Sequence, residues 1–217
     1  MRSCFHHLFV TGIDAVDSDG RINRGATCKV ELDSYIDAGV LASVALVNGL
    51  TEGFARGSAI EVLDAMAAIR DALSVDPPSL AALKRRDVPG FSALAQALRD
   101  VFVALGKGNV DEAAHRLNVL LARHPATPHL AKENGIWCLH HHPADAAVLA
   151  MWTSICAEGL ARMIGAGAAH RFGVCEAVNC DRVFVDATKN ASRRFCCIAC
   201  QNRTKTAAFR SRRAEKE

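Results

Sequence analysis

Residues 175–213 read CEAVNCDRVFVDATKNASRRFCCIACQNRTKTAAFRSRR. Their cysteines run Cys175-x4-Cys180-x15-Cys196-x3-Cys200, with Cys197 inside the second pair. Two close cysteine pairs separated by a hairpin-sized spacer suit a tetrahedral zinc site, because each pair clamps two corners and the fold brings the pairs together. Cys197-x2-Cys200 is also a knuckle spacing, so residue spacing alone leaves two candidates for the third ligand. A module of this size buries too little apolar surface to hold its shape unaided. Structural zinc supplies on the order of 10 kcal/mol to the folding of such modules, which makes the metal a requirement. Between the pairs, RVFVD is β-branched and aromatic, ATKN is turn chemistry and SRRF reads as a returning strand. Helical propensity resumes at Ala199 and continues through the basic stretch. A cysteine knuckle, a hairpin and a helix whose first turn carries the last ligand make a treble-clef-like order.

The rest of the chain is of a different character. At 217 residues and 50% hydrophobic, there is material for one substantial core and a small second module. Residues 171–217 carry eleven Lys/Arg against five Asp/Glu, whereas residues 1–170 carry fifteen against eighteen, so a mildly acidic body precedes a basic tail facing a polyanion. Five of nine cysteines fall within the last 43 residues, a distribution that fits metal binding in a reducing compartment better than a disulfide framework. The first twenty residues lack the apolar core of a signal peptide, and the run GVLASVALVNGL is well short of the roughly 20 residues a membrane span needs. These features predict a cytoplasmic protein with no membrane association.

Hydrophobic periodicity makes the body mainly helical, an α+β protein once the tail is included. Residues 1–30 show no clear period and are expected to be loosely structured, with at most one strand. Leu41, Val44 and Val47 mark a helix over 38–50, and Ser58 with Glu61 in SAIE offers a capping box for a next one carrying Ile60, Leu63, Ala67 and Leu73. Pro77 and Pro78 open a short helix through Leu83, and Phe91 to Leu105 mark a longer one. Asn109 caps a helix carrying Leu117, Leu120 and Leu121. IWCLHHH reads as a strand and Val148 to Ile164 as a last long helix. GAGAAHRFG is then a hinge, dividing a helical domain, 1–170, from the cysteine module, 171–217.

Two histidine-rich stretches invite a metal or catalytic reading. In an extended 136–142, His140 and His142 share a face while His141 points the opposite way, so the three cannot converge on one metal. A pair could bind with a third ligand from elsewhere, but no HExxH spacing or carboxylate partner accompanies it. A structural or solvent-facing role is the simpler expectation, and a metal-dependent enzyme using His140 to His142 is the less favoured alternative. Cys4, His6 and His7 form a weaker cluster still.

The tail resembles the CGNR zinc finger, with Cys200-Gln201-Asn202-Arg203 where that family has Cys-Gly-Asn-Arg. The likeness includes the cysteines, Phe184-Val185-Asp186, Ser192-Arg193-Arg194 before an aromatic residue, and the basic helix. Upstream, ASVALVNGL and the helical body more loosely resemble the ABATE domain that precedes this finger in bacterial transcriptional regulators. The resemblance implies a zinc-dependent DNA-binding regulator with an N-terminal sensing or dimerisation domain, and no enzyme. Its spacing selects Cys175, Cys180, Cys196 and Cys200 as the metal ligands and makes Cys197 the bystander. Gln201 replaces the family's glycine, which a residue entering a helix tolerates.

On a helix starting near Cys200, Asn202, Thr206, Phe209, Arg213 and Lys216 share a broad face, with Arg203 and Arg210, and Lys205 and Arg212, paired seven apart. Phe209 is expected to pack near Phe184 or Phe195. Arg203, Lys205, Arg210, Arg212 and Arg213, with Arg193 or Arg194, are placed to straddle the backbone of double-stranded DNA, and Asn202 to read a base edge. The second of those two arginines is expected to pair with Asp181 or Asp186. An RNA-binding accessory role is the alternative, since basic treble clefs also serve RNA, although the tail offers Phe209 alone for base stacking. A single short basic helix reads few base pairs, which favours a homodimer. The sequence names no DNA target or small-molecule effector.

Overall fold

The computed structural model describes residues 34–125, 127–133 and 135–214. The unpatterned start, with Cys4, His6 and His7, lies outside the described residues, as does Lys216. The order of elements is α1 (Ser34–Leu50), β1 (Gly53–Ala55), β2 (Ser58–Ile60), α2 (Ala65–Ala72), α3 (Pro77–Ala82), α4 (Val88–Gly106), α5 (Val110–Arg123), β3 (His129–Glu133), β4 (Ile136–His140), α6 (Val148–Gly165), β5 (Phe172–Val174), β6 (Val183–Val185) and α7 (Ile198–Ala214). Each strand pairs antiparallel with its neighbour in sequence, giving three separate hairpins on a helical body.

Helices α1, α4 and α6 form the centre. Leu46, Val47, Leu98, Val101, Phe102, Leu160 and Met163 are fully buried there. Helix α4, with the turn before it, is the one stretch among the described residues long and apolar enough to cross a bilayer, and its apolar face supplies the middle of this core. At Gly39 a side chain would overlap the backbone carbonyl of Ile155, so the glycine sets how closely α1 approaches α6. The helix starts follow capping chemistry: Asp64 Oδ1 accepts from Ala67 N at 2.9 Å, Asp76 from Ser79 N at 3.3 Å, and Asn109 from Glu112 N at 3.2 Å.

Two expectations about local structure are overturned. Ser58 does not open a helix. Residues 58–60 pair with 53–55 across a turn in which Arg56 and Gly57 have φ of 52° and 101°, the left-handed pair that closes a two-residue hairpin. Helix α2 starts six residues later on Asp64, and Leu63 is 91% exposed rather than part of an apolar face. The second correction concerns RVFVD. Its partner is not SRRF but the preceding Phe172–Val174, with Phe172 opposite Val185 and Val174 opposite Val183. Burial explains the choice. Phe172 packs edge-on against Phe102 with ring centroids 5.6 Å apart, and Gly173 leaves the space that the Phe184 ring fills.

Packing is therefore continuous across residue 170. Phe172 and Val183 belong to the same apolar cluster as Phe102 and Leu160, and part of the expected hinge, Ala168, is buried with them. The buried Arg182 donates to Asn48 O at 2.9 Å, Thr51 O at 3.0 Å and Glu52 O at 3.3 Å, so a cation from the tail satisfies carbonyls at and beyond the C-terminal end of α1.

Candidate metal centre and basic helix

Cys175 follows β5 directly, Cys180 precedes β6, Cys196 lies on the approach to α7 and Cys200 sits in its first turn. The four Sγ atoms lie within 4.8 Å of one another. Cys180 to Cys196 is 3.7 Å and Cys196 to Cys200 is 3.8 Å. Four thiolates at about 2.3 Å from a tetrahedral zinc stand about 3.8 Å apart, so the donor set has the size as well as the chemistry for that ion. Cys197 lies outside this group, its Sγ 3.9 Å from that of Cys196. Cys175, Cys180 and Cys200 are buried, with Phe195 and Ala177 packed around them.

Four thiols this close cannot all ionise without a cation. Burial raises the Cys180 thiol, but N–H groups of Arg182 and Arg56 and the thiols of Cys175 and Cys200 outweigh it and bring it down to about 7. Burial and the neighbouring thiols push Cys196 up, and Cys200 is raised to about 12, chiefly by burial. Zinc is what would stabilise four thiolates at these separations.

The body takes part in this centre. Gly57 N donates to Asn179 O at 2.9 Å and Asp181 N to Phe54 O at 3.1 Å, while Asp181 Oδ1 accepts from Phe54 N at 3.2 Å. The β1–β2 hairpin thus cradles the Cys175–Cys180 knuckle and contributes the Arg56 N–H to the Cys180 sulfur. A side chain at Gly53 would overlap the Asp181 carboxylate, and one at Gly57 would crowd the Arg203 guanidinium. Nothing in the spacing of residues 53–60 pointed to this role. The usable signal was Arg56-Gly57 as a two-residue turn.

The expected nucleic-acid residues divide in two. Arg193 is exposed but engaged, its guanidinium over the Phe184 ring and donating to the carbonyls of Phe195 and Cys196. Arg194 pairs with Glu176, with Nε at 2.7 Å, and lies over the Phe195 ring. The predicted pairing of an arginine side chain here with Asp181 or Asp186 does not occur: Asp181 binds Arg99 and Arg182, and Asp186 accepts the Arg193 backbone N–H. Arg203 bonds the Val178 carbonyl and lies 3.8 Å from the Cys200 sulfur, which ties the helix to the knuckle. Asn202, Lys205, Arg210, Arg212 and Arg213 are exposed. Phe209 is 60% exposed and does not pack on Phe184 or Phe195 as expected. Cys200 is the only buried residue of α7. At 100° per residue, the face opposite Cys200 carries Asn202, Lys205, Phe209, Arg212 and Arg213.

Comparison with known proteins agrees with this construction. Residues 171–213 match the family model described as CGNR zinc finger, and residues 42–167 match ABATE, described as "Putative stress-induced transcription regulator". No curated protein matches the chain significantly. With more than half of its length within the ABATE match and the cysteine centre within the CGNR match, the chain belongs to the ABATE family, its helical body followed by a CGNR zinc finger.

Proposed function

We propose that this protein is a zinc-dependent transcription regulator that binds double-stranded DNA through the outward face of α7. The observation that carries the reading is the construction of that helix. It is 17 residues long, carries five Lys/Arg and no Asp/Glu, and is anchored near its start by Cys200 and Arg203 while residues 205–214 are exposed. Such a helix extends about 25 Å and fits the width of a B-DNA major groove. Lys205, Arg210, Arg212 and Arg213 contact phosphates in this reading. Asn202 faces a base edge and Phe209 offers an apolar contact to a thymine methyl. Arg203, Arg193 and Arg194 serve the zinc module itself, through the carbonyl, sulfur and ring contacts they make.

Zinc, held by Cys175, Cys180, Cys196 and Cys200, supplies structural cross-linking when bound. The chain's own residues do the rest: Arg203 orients α7, and the β1–β2 hairpin joins the knuckle to the helical body. That junction gives the body a mechanical route to the helix, in keeping with a sensing or dimerising role for it. The test is a competition titration of zinc-loaded protein against genomic duplex fragments, single strands of the same sequence and RNA. Preferential duplex binding that disappears when Lys205, Arg210, Arg212 and Arg213 are all changed to Ala supports the reading. Equal binding to all three competitors, or unaltered duplex binding by that variant, overturns it.

A further inference from the structure

The β3–β4 hairpin holds a second set of metal-ligating side chains. His129 and His140 are direct cross-strand partners, and His142 follows His140 by two residues. Their ring centroids are 5.2 Å (His129–His140), 5.5 Å (His129–His142) and 5.3 Å (His140–His142) apart, so the three imidazoles form a nearly equilateral group. His141 is set apart from them, its Nδ1 3.0 Å from Glu158 Oε1. The partner that His140 and His142 lacked in the sequence is thus supplied across the hairpin.

We propose that His129, His140 and His142 form a binding site for a divalent first-row transition ion, with three imidazole ligands and the fourth position open to solvent. Size supports this. With ligand nitrogens at about 2.0–2.1 Å from a tetrahedral ion and each ring centre about 1.1 Å further out, three imidazoles stand about 5 Å apart, which is the separation found. Tautomer supports it too. His142 Nδ1 lies 2.9 Å from Pro143 O and His129 Nδ1 lies 3.5 Å from Thr127 O. A carbonyl only accepts, so Nδ1 carries the proton in both rings and the Nε2 lone pairs are left for a metal, the arrangement by which backbone carbonyls orient ligating histidines. His129 and His140 lie 22° from parallel, so their donor nitrogens do not converge as the rings stand, and binding requires at least one ring to turn about its soft χ2 torsion. Neutral imidazoles without thiolate favour Zn²⁺, Co²⁺, Ni²⁺ or Cu²⁺ over Mg²⁺ or Ca²⁺. The site is independent of the DNA-binding reading, and binding there would cross-link β3, β4 and the loop after it.

The experiment is a Co²⁺ titration of the full chain freed of metal, followed by absorption spectroscopy. The cysteine centre takes the first equivalent and gives intense thiolate-to-cobalt charge transfer. A second equivalent is expected to add ligand-field bands without further charge transfer, and His129→Ala, His140→Ala and His142→Ala are each expected to weaken it more than about tenfold, while His141→Ala leaves it unchanged. Retention of the charge-transfer band in each variant reports that the fold around the cysteines is intact, and thermal unfolding with and without excess metal gives a second readout, since a lost site abolishes the metal-dependent rise in Tm. A single equivalent in the wild type, or a second that persists when all three histidines are replaced, overturns the proposal.

Discussion

The side chain of Asn48 in α1 grips both backbone groups of Val183 in β6: Nδ2 donates to the Val183 carbonyl at 2.9 Å and Oδ1 accepts from the Val183 N–H at 2.9 Å. An amide on a helix thereby stands in for a missing strand on the outer edge of the β5–β6 hairpin. Buried backbone groups left without partners cost about 1–3 kcal/mol each, so Asn48→Ala is expected to lower stability by about 2–4 kcal/mol. Asn48→Asp keeps the acceptor but sets a carboxylate against the Val183 carbonyl, and is expected to be little better despite its shape. Denaturant unfolding of the full chain measures both.

The same junction bears on where the chain can be cut. A chain ending at Gly167 loses Phe172, Val183 and Arg182, uncovering Phe102 and leaving carbonyls at the end of α1 unsatisfied. Although the family models part at residues 167 and 171, we expect this truncation to give a broad, low-temperature transition or aggregation. Independent folding of the helical body would instead appear as a sharp transition close to that of the full chain.

Replacing Cys175, Cys180, Cys196 or Cys200 by Ser is expected to release zinc and unfold the tail, a loss on the order of 10 kcal/mol in metal-linked folding energy. Cys197→Ser is expected to retain the metal. Elemental analysis with limited proteolysis distinguishes the cases, and a Cys197→Ser protein that loses zinc while Cys196→Ser keeps it would reverse the assignment.

Asp186 links acid stability to the loop before α7. Burial raises its carboxyl, but hydrogen bonds from Thr188 and the Arg193 N–H, with the Arg171 charge, outweigh burial and hold it below the usual carboxylate range. A depressed folded pKa gives stability that is fully present above the unfolded value of about 3.9 and is lost as pH falls through the lower folded value. Asp186→Asn is expected to be less stable than the wild type at pH 7, and the gap to narrow below about pH 4. A gap that stays constant into that range would show that the charge contributes nothing.

For α7, four phosphate contacts per chain predict that log K against log salt falls with a slope of about −3 to −4, doubled if two copies bind two half-sites. Arg212→Ala is expected to weaken binding to all sequences alike and flatten the slope by about 1. Asn202→Ala is expected to cost about 1–3 kcal/mol on preferred sites only. Arg203→Ala differs from both: by freeing the helix from the Val178 carbonyl it is expected to lower the Tm of the zinc module, with the salt slope kept. Salt-dependent titrations paired with thermal unfolding separate the three.

Much of this protein is written locally. Cysteine spacing, the apolar period of α1, α4 and α6, the cap at Asn109 and the helix start at Pro77 depend on neighbours a few residues away, so they were legible without a fold, as was the alternation that puts His140 and His142 on one face. The remainder depended on partners far along the chain. Whether RVFVD pairs forward or backward was decided by the space Phe172 finds against Phe102, and the direction of Arg203 by a carbonyl 25 residues earlier. The charge of Arg193 and Arg194 is visible in sequence, while the rings and carbonyls that engage them are not. His129 could join His140 only once register set them opposite each other. Propensity and spacing act within a turn or two of chain, whereas burial is settled only when distant segments compete for one apolar interior, and that competition decided that Arg182 is the arginine taken inside.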